Sequence, residues 1–279
     1  MPQYFNQIIN FIIYNFQSYF FSFDAGIFIP GYFFWSIVLY VIFYICLAKH
    51  ITSRKNIKSK VDNRNGGYGL DFKQTRREIV YSVLSSFIFG LTGLFVTLTL
   101  GRFFPVYTQI DGVLGYLYLI ISVPLLFIAH DTWFYWTHRA MHHPKIFRYA
   151  HKLHHLSKET TPFTAISFHP LEAVVEALWS VIPFLIIPFH PIALLIFALI
   201  ETFHTVFNHL GYESLPKGFT KHPIFGIKTT PTHHGMHHEK VGGNYGLYFT
   251  FWDRVMGTEF KDYHQRFESL TTQTNSSKL

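Results

Sequence analysis

The sequence predicts an all-α protein: an integral membrane helical bundle with a cytoplasmic helical cap that holds a histidine-rich dimetal site. Three observations predict it. Stretches without a charged residue recur at membrane-spanning length, Lys and Arg crowd into one connecting loop, and histidines gather in three units at helical spacing. The 279 residues are 49% hydrophobic and only 14% charged, against roughly 25% charged in a typical soluble domain, so much of the surface is expected to face lipid.

The elements follow in order. Residues 4–23 are apolar and aromatic, and lie in the interface or form an extra span. They have no basic leading region and no small-residue cleavage site, so they do not read as a signal peptide. Residues 25–48, 79–101 and 112–130 carry no Asp, Glu, Lys or Arg, and each is close to the roughly 20 residues that cross about 30 Å of hydrocarbon. The loop 49–78 holds nine Lys/Arg (Lys49, Arg54, Lys55, Lys58, Lys60, Arg64, Lys73, Arg76 and Arg77), whereas 101–113 holds only Arg102. The positive-inside rule puts 49–78 in the cytoplasm, so the chain emerges again on that side at His130. The formal charge of +7 is thereby read as topology, with no nucleic acid partner. The lone cysteine, Cys46, allows no internal disulfide and no thiolate metal site.

A fourth charge-free stretch, 177–200, is interrupted by Pro183, Pro188 and Pro191. It reads better as a helical hairpin near 170–209 than as one span. Arms of 170–187 and 192–209 would each be about 27 Å long at 1.5 Å per residue. The hairpin returns the chain to the cytoplasm and keeps every histidine unit on one side. The expected organisation is a membrane region 1–129, a histidine-bearing region 130–265 and a polar tail 266–279.

The histidine units are His138-Arg-Ala-Met-His142 followed by His143, His151-Lys-Leu-His154-His155, and His234-Gly-Met-His237-His238. On a helix, positions i, i+3 and i+4 fall at about 0°, −60° and +40°, so an HxxHH unit is expected to aim three imidazoles into one sector. The units divide by chain position into a first set (His138, His142, His151, His154, His155) and a second (His234, His237, His238, with His209). Neutral imidazole binds zinc, copper, nickel and iron. Eight or more histidines suit two ions with open positions, whereas a structural zinc wants four ligands and favours thiolate. His138 to His142 is no zincin helix, because Glu does not follow the first His. His143, His169 and His204 are ligands or groups supporting them. Asp131 either orients a ligand imidazole, as carboxylates beside metal-bound histidines do, or is an acid that anchors the end of the span at the interface. His50, His190, His222 and His264 are background.

These residues resemble the sterol desaturase and fatty acid hydroxylase superfamily. The resemblance runs from about Asp131 to Thr258 through Asp131-Thr-Trp-Phe-Tyr-Trp-Thr-His138-Arg, His142, His151-Lys-Leu-His154-His155, Phe168-His-Pro-Leu-Glu172, Asn208-His-Leu-Gly-Tyr212, His234-Gly-Met-His237-His238, Gly243-Asn-Tyr-Gly246 and Trp252-Asp-Arg-Val-Met-Gly-Thr258. It is nearer the sterol-type branch than the ceramide-type hydroxylases, whose first unit is spaced HxxxxH. His138 and His143 would also satisfy that longer spacing, so His142 is preferred over His143. The resemblance implies a non-haem di-iron centre of two iron ions (Fe2+/Fe3+) that uses O2 to hydroxylate or desaturate a membrane lipid, sterol-like or fatty acyl, with zinc as a substitute after purification.

Nothing in the chain carries electrons: it has no haem-attachment motif, no dinucleotide loop and no cysteine cluster. An external electron-transfer protein must supply them, and the basic 49–78 loop, read first as a topology signal, would also suit an acidic donor. The competing readings are a histidine-rich membrane metal transporter and a metal-binding protein without oxygenase activity. Transporters place ionisable groups inside their spans, and 25–48, 79–101 and 112–129 have neither charge nor histidine.

Overall fold

The computed structural model describes residues 72–272. Segment 4–23, the span 25–48, most of the basic loop and residues 273–279 lie outside the described residues. The expected all-α class is borne out: among the described residues, nine α-helices and several short 3-10 turns account for the regular structure, with only two isolated β-bridges and no strand.

Helix α1 (Phe72–Leu100) begins earlier than the charge-free stretch, so Glu78 sits inside it. Its polarity is inverted relative to a helix in water. Glu78, Ser82, Ser85, Ser86 and Gly90 are buried, while Val80, Val83, Phe87, Leu91, Phe95 and Leu98 form an exposed stripe at helical spacing. An apolar stripe of that length calls for lipid on the outside, and the small buried residues let neighbouring backbone approach closely. The polar face grips the stretch after the second histidine unit. Glu78 accepts from Thr161 Oγ1 at 2.8 Å, Thr164 Oγ1 at 2.9 Å and Gln74 Nε2 at 2.8 Å, and Ser82 Oγ donates to the Phe163 carbonyl at 3.1 Å.

Helix α2 (Gly112–Met141) has 30 residues, about 45 Å at 1.5 Å each. That exceeds the roughly 30 Å of hydrocarbon in a bilayer, and its last turns carry His130, Asp131 and His138. The charge-free count ended the span at 130 and could not see that the helix continues. Short α3 (Pro144–Ala150) follows, with His143 as its N-cap.

The stretch 170–209 folds as a broken first arm, α4 (Pro170–Ala177) and α5 (Val181–Ile186) joined by a 3-10 turn, and a continuous second arm, α6 (Pro191–Asn208). Phe189 in the connection exchanges backbone hydrogen bonds of 3.1 Å with the chain at Pro105 and Tyr107, beside the loop between α1 and α2. At the opposite end, Glu172 and His209 both reach the second histidine unit, so the two arms start and finish at one place. Among the described residues, three helical segments, Phe72–Phe103, Gly112–Met141 and Pro191–Asn208, are long and apolar enough to cross a membrane.

Helices α7 (Pro231–Lys240), α8 (Phe251–Val255) and α9 (Tyr263–Thr272) complete the cap. Residues 266–272, read from the sequence as tail, form the second part of α9. Tyr263 and Phe267 on that helix are fully buried against Met236 of α7.

Candidate metal centre

Each histidine unit is placed by a different device. His138 lies on the last turns of α2, and His142 is the residue at which that helix ends. His151 follows the end of α3, and His154 and His155 sit on a single 3-10 turn. His209 ends α6. Helix α7 carries His234, His237 and His238. Its start is fixed by Thr230, whose hydroxyl accepts from His233 N at 3.1 Å, with Pro231 in the first turn. Glu213 Oε2 also accepts from Thr232 N at 3.0 Å and Thr232 Oγ1 at 2.6 Å, placing an acid at the positive end of the helix dipole.

Nine histidines converge in two groups that could each hold an ion. His138, His142, His151, His155 and His237 form the first, and His154, His209, His234 and His238 the second; within each group the candidate ligand atoms lie within 4.8 Å of one another. The nine are the residues singled out from the sequence, but the division by chain position is corrected. His154 joins the second group and His237 the first. The reason is angular: the −60° and +40° directions differ by about 100°. On α7 that fan sends His234 and His238 to one group and His237 to the other. The second unit, a turn followed by a 3-10 turn, divides as well: His151 and His155 face the first group and His154 the second.

The nitrogens meet at short range. In the first group, Nε2 of His138 is 2.9 Å from that of His151, and Nε2 of His155 is 3.2 Å from that of His142 and 3.0 Å from that of His237. In the second, His234 Nε2 is 2.8 Å from His209 Nε2 and 3.1 Å from His238 Nε2. The other ring nitrogens fix the tautomers. Nδ1 of His138 donates to the Tyr245 carbonyl at 2.9 Å, Nδ1 of His237 to the Gly243 carbonyl at 2.8 Å, and Nδ1 of His209 to the Thr205 carbonyl at 2.7 Å. A carbonyl only accepts, so each Nδ1 carries the proton and each Nε2 presents a bare lone pair to the group. Glu172 Oε1, 2.6 Å from His151 Nδ1, fixes a fourth ring in the same way.

Converging lone pairs in a buried site are what a cation neutralises. Two nitrogens about 2.1 Å from one ion and at right angles are about 3.0 Å apart, which matches the observed separations. The donor set therefore fits two metal ions with all-imidazole ligation. Burial first and the neighbouring rings second hold His142, His151, His154, His234, His237 and His238 below the ordinary histidine range. Burial likewise lowers His155 to about 3 and His209 to about 4. All eight are neutral at pH 7, the form that binds metal.

Three expected candidates stand apart from both groups. His143 and His169 are N-caps whose Nδ1 atoms accept from Lys145 N and Leu171 N at 3.3 and 3.2 Å. His204 is buried among Thr229, Asn208 and the Leu247 carbonyl. The expectation for Asp131 is corrected: its carboxylate binds no imidazole but accepts from Tyr248 N at 2.7 Å and Phe249 N at 3.1 Å, because the loop after α7 passes beside α2. The sequence reading gave no role to Glu172, though an acid four residues before the next one in an apolar arm is a visible signal. It also passed over His233, whose Nε2 is 3.5 Å from Asp253 Oδ2 in a fully buried contact, and Asp253 itself.

The fatty acid hydroxylase family matches residues 123–258. A lathosterol oxidase of Rattus norvegicus is 30% identical over 214 residues, covering 73% of this chain and 70% of that protein. A Delta(7)-sterol 5(6)-desaturase of Gibberella zeae is 34% identical over 153 residues, covering 54% of this chain and 45% of that protein. Methylsterol monooxygenase 1 of Rattus norvegicus is 32% identical over 143 residues, 51% of this chain and 47% of that protein. The chain spans about half the length of several of the curated relatives it matches. No solved structure matches it. The histidine units that build the two groups lie inside the matched region, and the chain belongs to the sterol desaturase and fatty acid hydroxylase superfamily, on its sterol-type branch.

Proposed function

We propose that this chain is a membrane-bound di-iron oxygenase that hydroxylates or desaturates a lipid, with O2 as oxidant and electrons from a separate protein. The observation that carries the reading is the pair of interlocked histidine groups, in which nine imidazoles converge with their Nε2 atoms inward. Two iron ions would be held by His138, His142, His151, His155 and His237 on one side and His154, His209, His234 and His238 on the other. Iron bound there supplies O2 activation and the attack on an unactivated C–H bond.

The protein's own part is orientation and exclusion of water. Glu172 and the carbonyls of Tyr245, Gly243 and Thr205 hold four rings in their ligating tautomers. Phe134, Phe147 and Phe168 lie against His138, His142 and His154 with ring centroids 4.8, 5.3 and 5.1 Å apart, so the site is walled by apolar surface. A lipid tail would enter between helices from the bilayer. The names of the relatives favour a sterol-like substrate, with a fatty acyl chain as the other class.

The nine Lys/Arg of 49–78 support a cytoplasmic position for the histidine groups, where a soluble or membrane-tethered electron donor can reach them. The decisive assay is O2 consumption by the purified, iron-loaded protein. Turnover is expected only when both a lipid and a reductant are present, with an oxygenated or dehydrogenated lipid as product. Metal flux into liposomes without O2 consumption would favour a transporter instead. For topology, cysteine labelling at Lys158 and Lys240 should report one side, the cytoplasmic one; labelling from opposite sides would break the shared site.

A further inference from the structure

Residues 243–250 form neither helix nor strand, yet their backbone groups are paired along the whole stretch. Asn244 N donates to the Thr258 carbonyl at 2.9 Å. Tyr245 N and Gly246 N donate to Asp253 Oδ1 and Oδ2, each at 2.8 Å. The Leu247 carbonyl accepts from Thr229 Oγ1 at 2.6 Å and Asn208 Nδ2 at 3.1 Å. Tyr248 N and Phe249 N donate to Asp131. Two carbonyls of the stretch, Gly243 and Tyr245, turn toward the first histidine group and take the Nδ1 protons of His237 and His138.

Asp253 is the hub. Its carboxylate is fully buried, and Oδ1 also accepts from Thr258 Oγ1 at 2.7 Å. The approach is so close that a side chain at either flanking glycine would collide. A Cβ at Gly243 would lie 2.4 Å from the Thr258 carbonyl, and one at Gly246 would lie 2.3 Å from the Phe249 carbonyl and 3.0 Å from Asp253 Oδ2. The second group's imidazoles make no such bonds: among the described residues, none of His154, His209, His234 or His238 hydrogen-bonds this stretch, and His209 is held within its own helix by Thr205. The stretch meets the helix of His234 through His233, whose carbonyl accepts from Asn244 Nδ2 at 2.9 Å and whose Nε2 is 3.5 Å from Asp253 Oδ2.

We propose that Asp253 is a positioning residue for the first histidine group alone. It fixes the 243–246 backbone so that two carbonyls aim His138 and His237 at a common ion, and it thereby sets the metal affinity of that group independently of the second. The inference rests on the di-iron reading, but its test reads binding and needs no turnover. Loss of a partner that orients metal ligands lowers affinity by about 10–100-fold. In Asp253→Asn the amide nitrogen must face a backbone N–H that now has no acceptor.

Iron(II) is titrated anaerobically into the metal-free full-length chain in two backgrounds. One lacks the second group through His234→Ala with His238→Ala, and the other lacks the first through His138→Ala, His151→Ala and His155→Ala. Asp253→Asn is expected to weaken iron binding by about 10–100-fold in the background that retains the first group, and by less than about threefold in the other. Should Asp253→Asn fail to fold, Thr258→Val removes one donor to the carboxylate and leaves the charge in place; a smaller loss confined to the first group is expected. Equal weakening of both groups, or of neither, would overturn the proposal while leaving the di-iron reading intact. Failure of the unmutated chain to bind iron(II) would overturn both.

Discussion

Replacing Glu172 with alanine removes the acceptor that holds His151 Nδ1 at 2.6 Å, in a contact where both side chains are 2% exposed. A hydrogen bond contributes about 0.5–1.5 kcal/mol net, and the Nδ1–H that alanine strands in this buried site costs about 1–3 kcal/mol. At about 1.4 kcal/mol per tenfold, the stranded donor corresponds to roughly 5–150-fold in the affinity of the first group for iron(II). Glu172→Gln keeps an acceptor for Nδ1 and strands no donor, so the loss is expected to stay below about 1 kcal/mol or roughly fivefold. The order wild type, Gln, Ala is the signature. Competition against a chromophoric chelator in detergent, with the second group deleted, measures it directly. If the alanine variant binds iron(II) as tightly as the parent, the role given to Glu172 is wrong.

Two further predictions rest on the same structure. The folded-state values of about 4 for His209 and about 3 for His155 lie below the roughly 6.5 of an unfolded histidine, so both states are neutral above pH 6.5 and neither ring affects stability there. Below pH 6.5 the unfolded chain takes up protons that the fold refuses, and the metal-free protein should lose about 1.4 kcal/mol per pH unit for each such ring down to about pH 4. Denaturation of the metal-free protein at pH 7 and pH 5.5 checks this, and a flat profile would contradict it. Separately, Gly246→Ala drives a methyl group against the Phe249 carbonyl, a backbone atom with little freedom to move. It should destabilise by about 1–3 kcal/mol and lower the midpoint of a thermal melt, whereas Gly242→Ala, whose Cβ would meet only the Lys240 carbonyl at 3.8 Å, should be mild at that contact.

Local patterns exposed much of this arrangement and tertiary contacts decided the rest. The charge-free stretches located α1, α2 and α6 because crossing a bilayer is a requirement on composition. The same criterion stopped α2 at His130, since a helix that leaves the membrane becomes polar without ceasing to be a helix. The nine converging histidines were legible because helical spacing concentrates ligands. Their partition was not, because a fan of about 100° within one HxxHH unit serves two targets, and the second target comes from another element. Asp131 illustrates the opposite failure. A carboxylate seven residues before His138 suggested a direct contact, yet its partners are amides more than a hundred residues away in sequence. The supporting carbonyls of Gly243 and Tyr245 are backbone atoms and leave no trace in residue identity. Their only sequence signals are the glycines that permit close approach and the acid, Asp253, that anchors them.

The central claim is that two separate histidine groups each hold one iron ion. The most direct measurement is the metal content of the full chain after anaerobic loading with iron(II), compared with variants lacking one group. Two irons per chain are expected in the parent. One is expected after His138→Ala, His151→Ala and His155→Ala together, and one after His234→Ala with His238→Ala. A parent that holds one iron, or a single-group deletion that still holds two, would contradict the account.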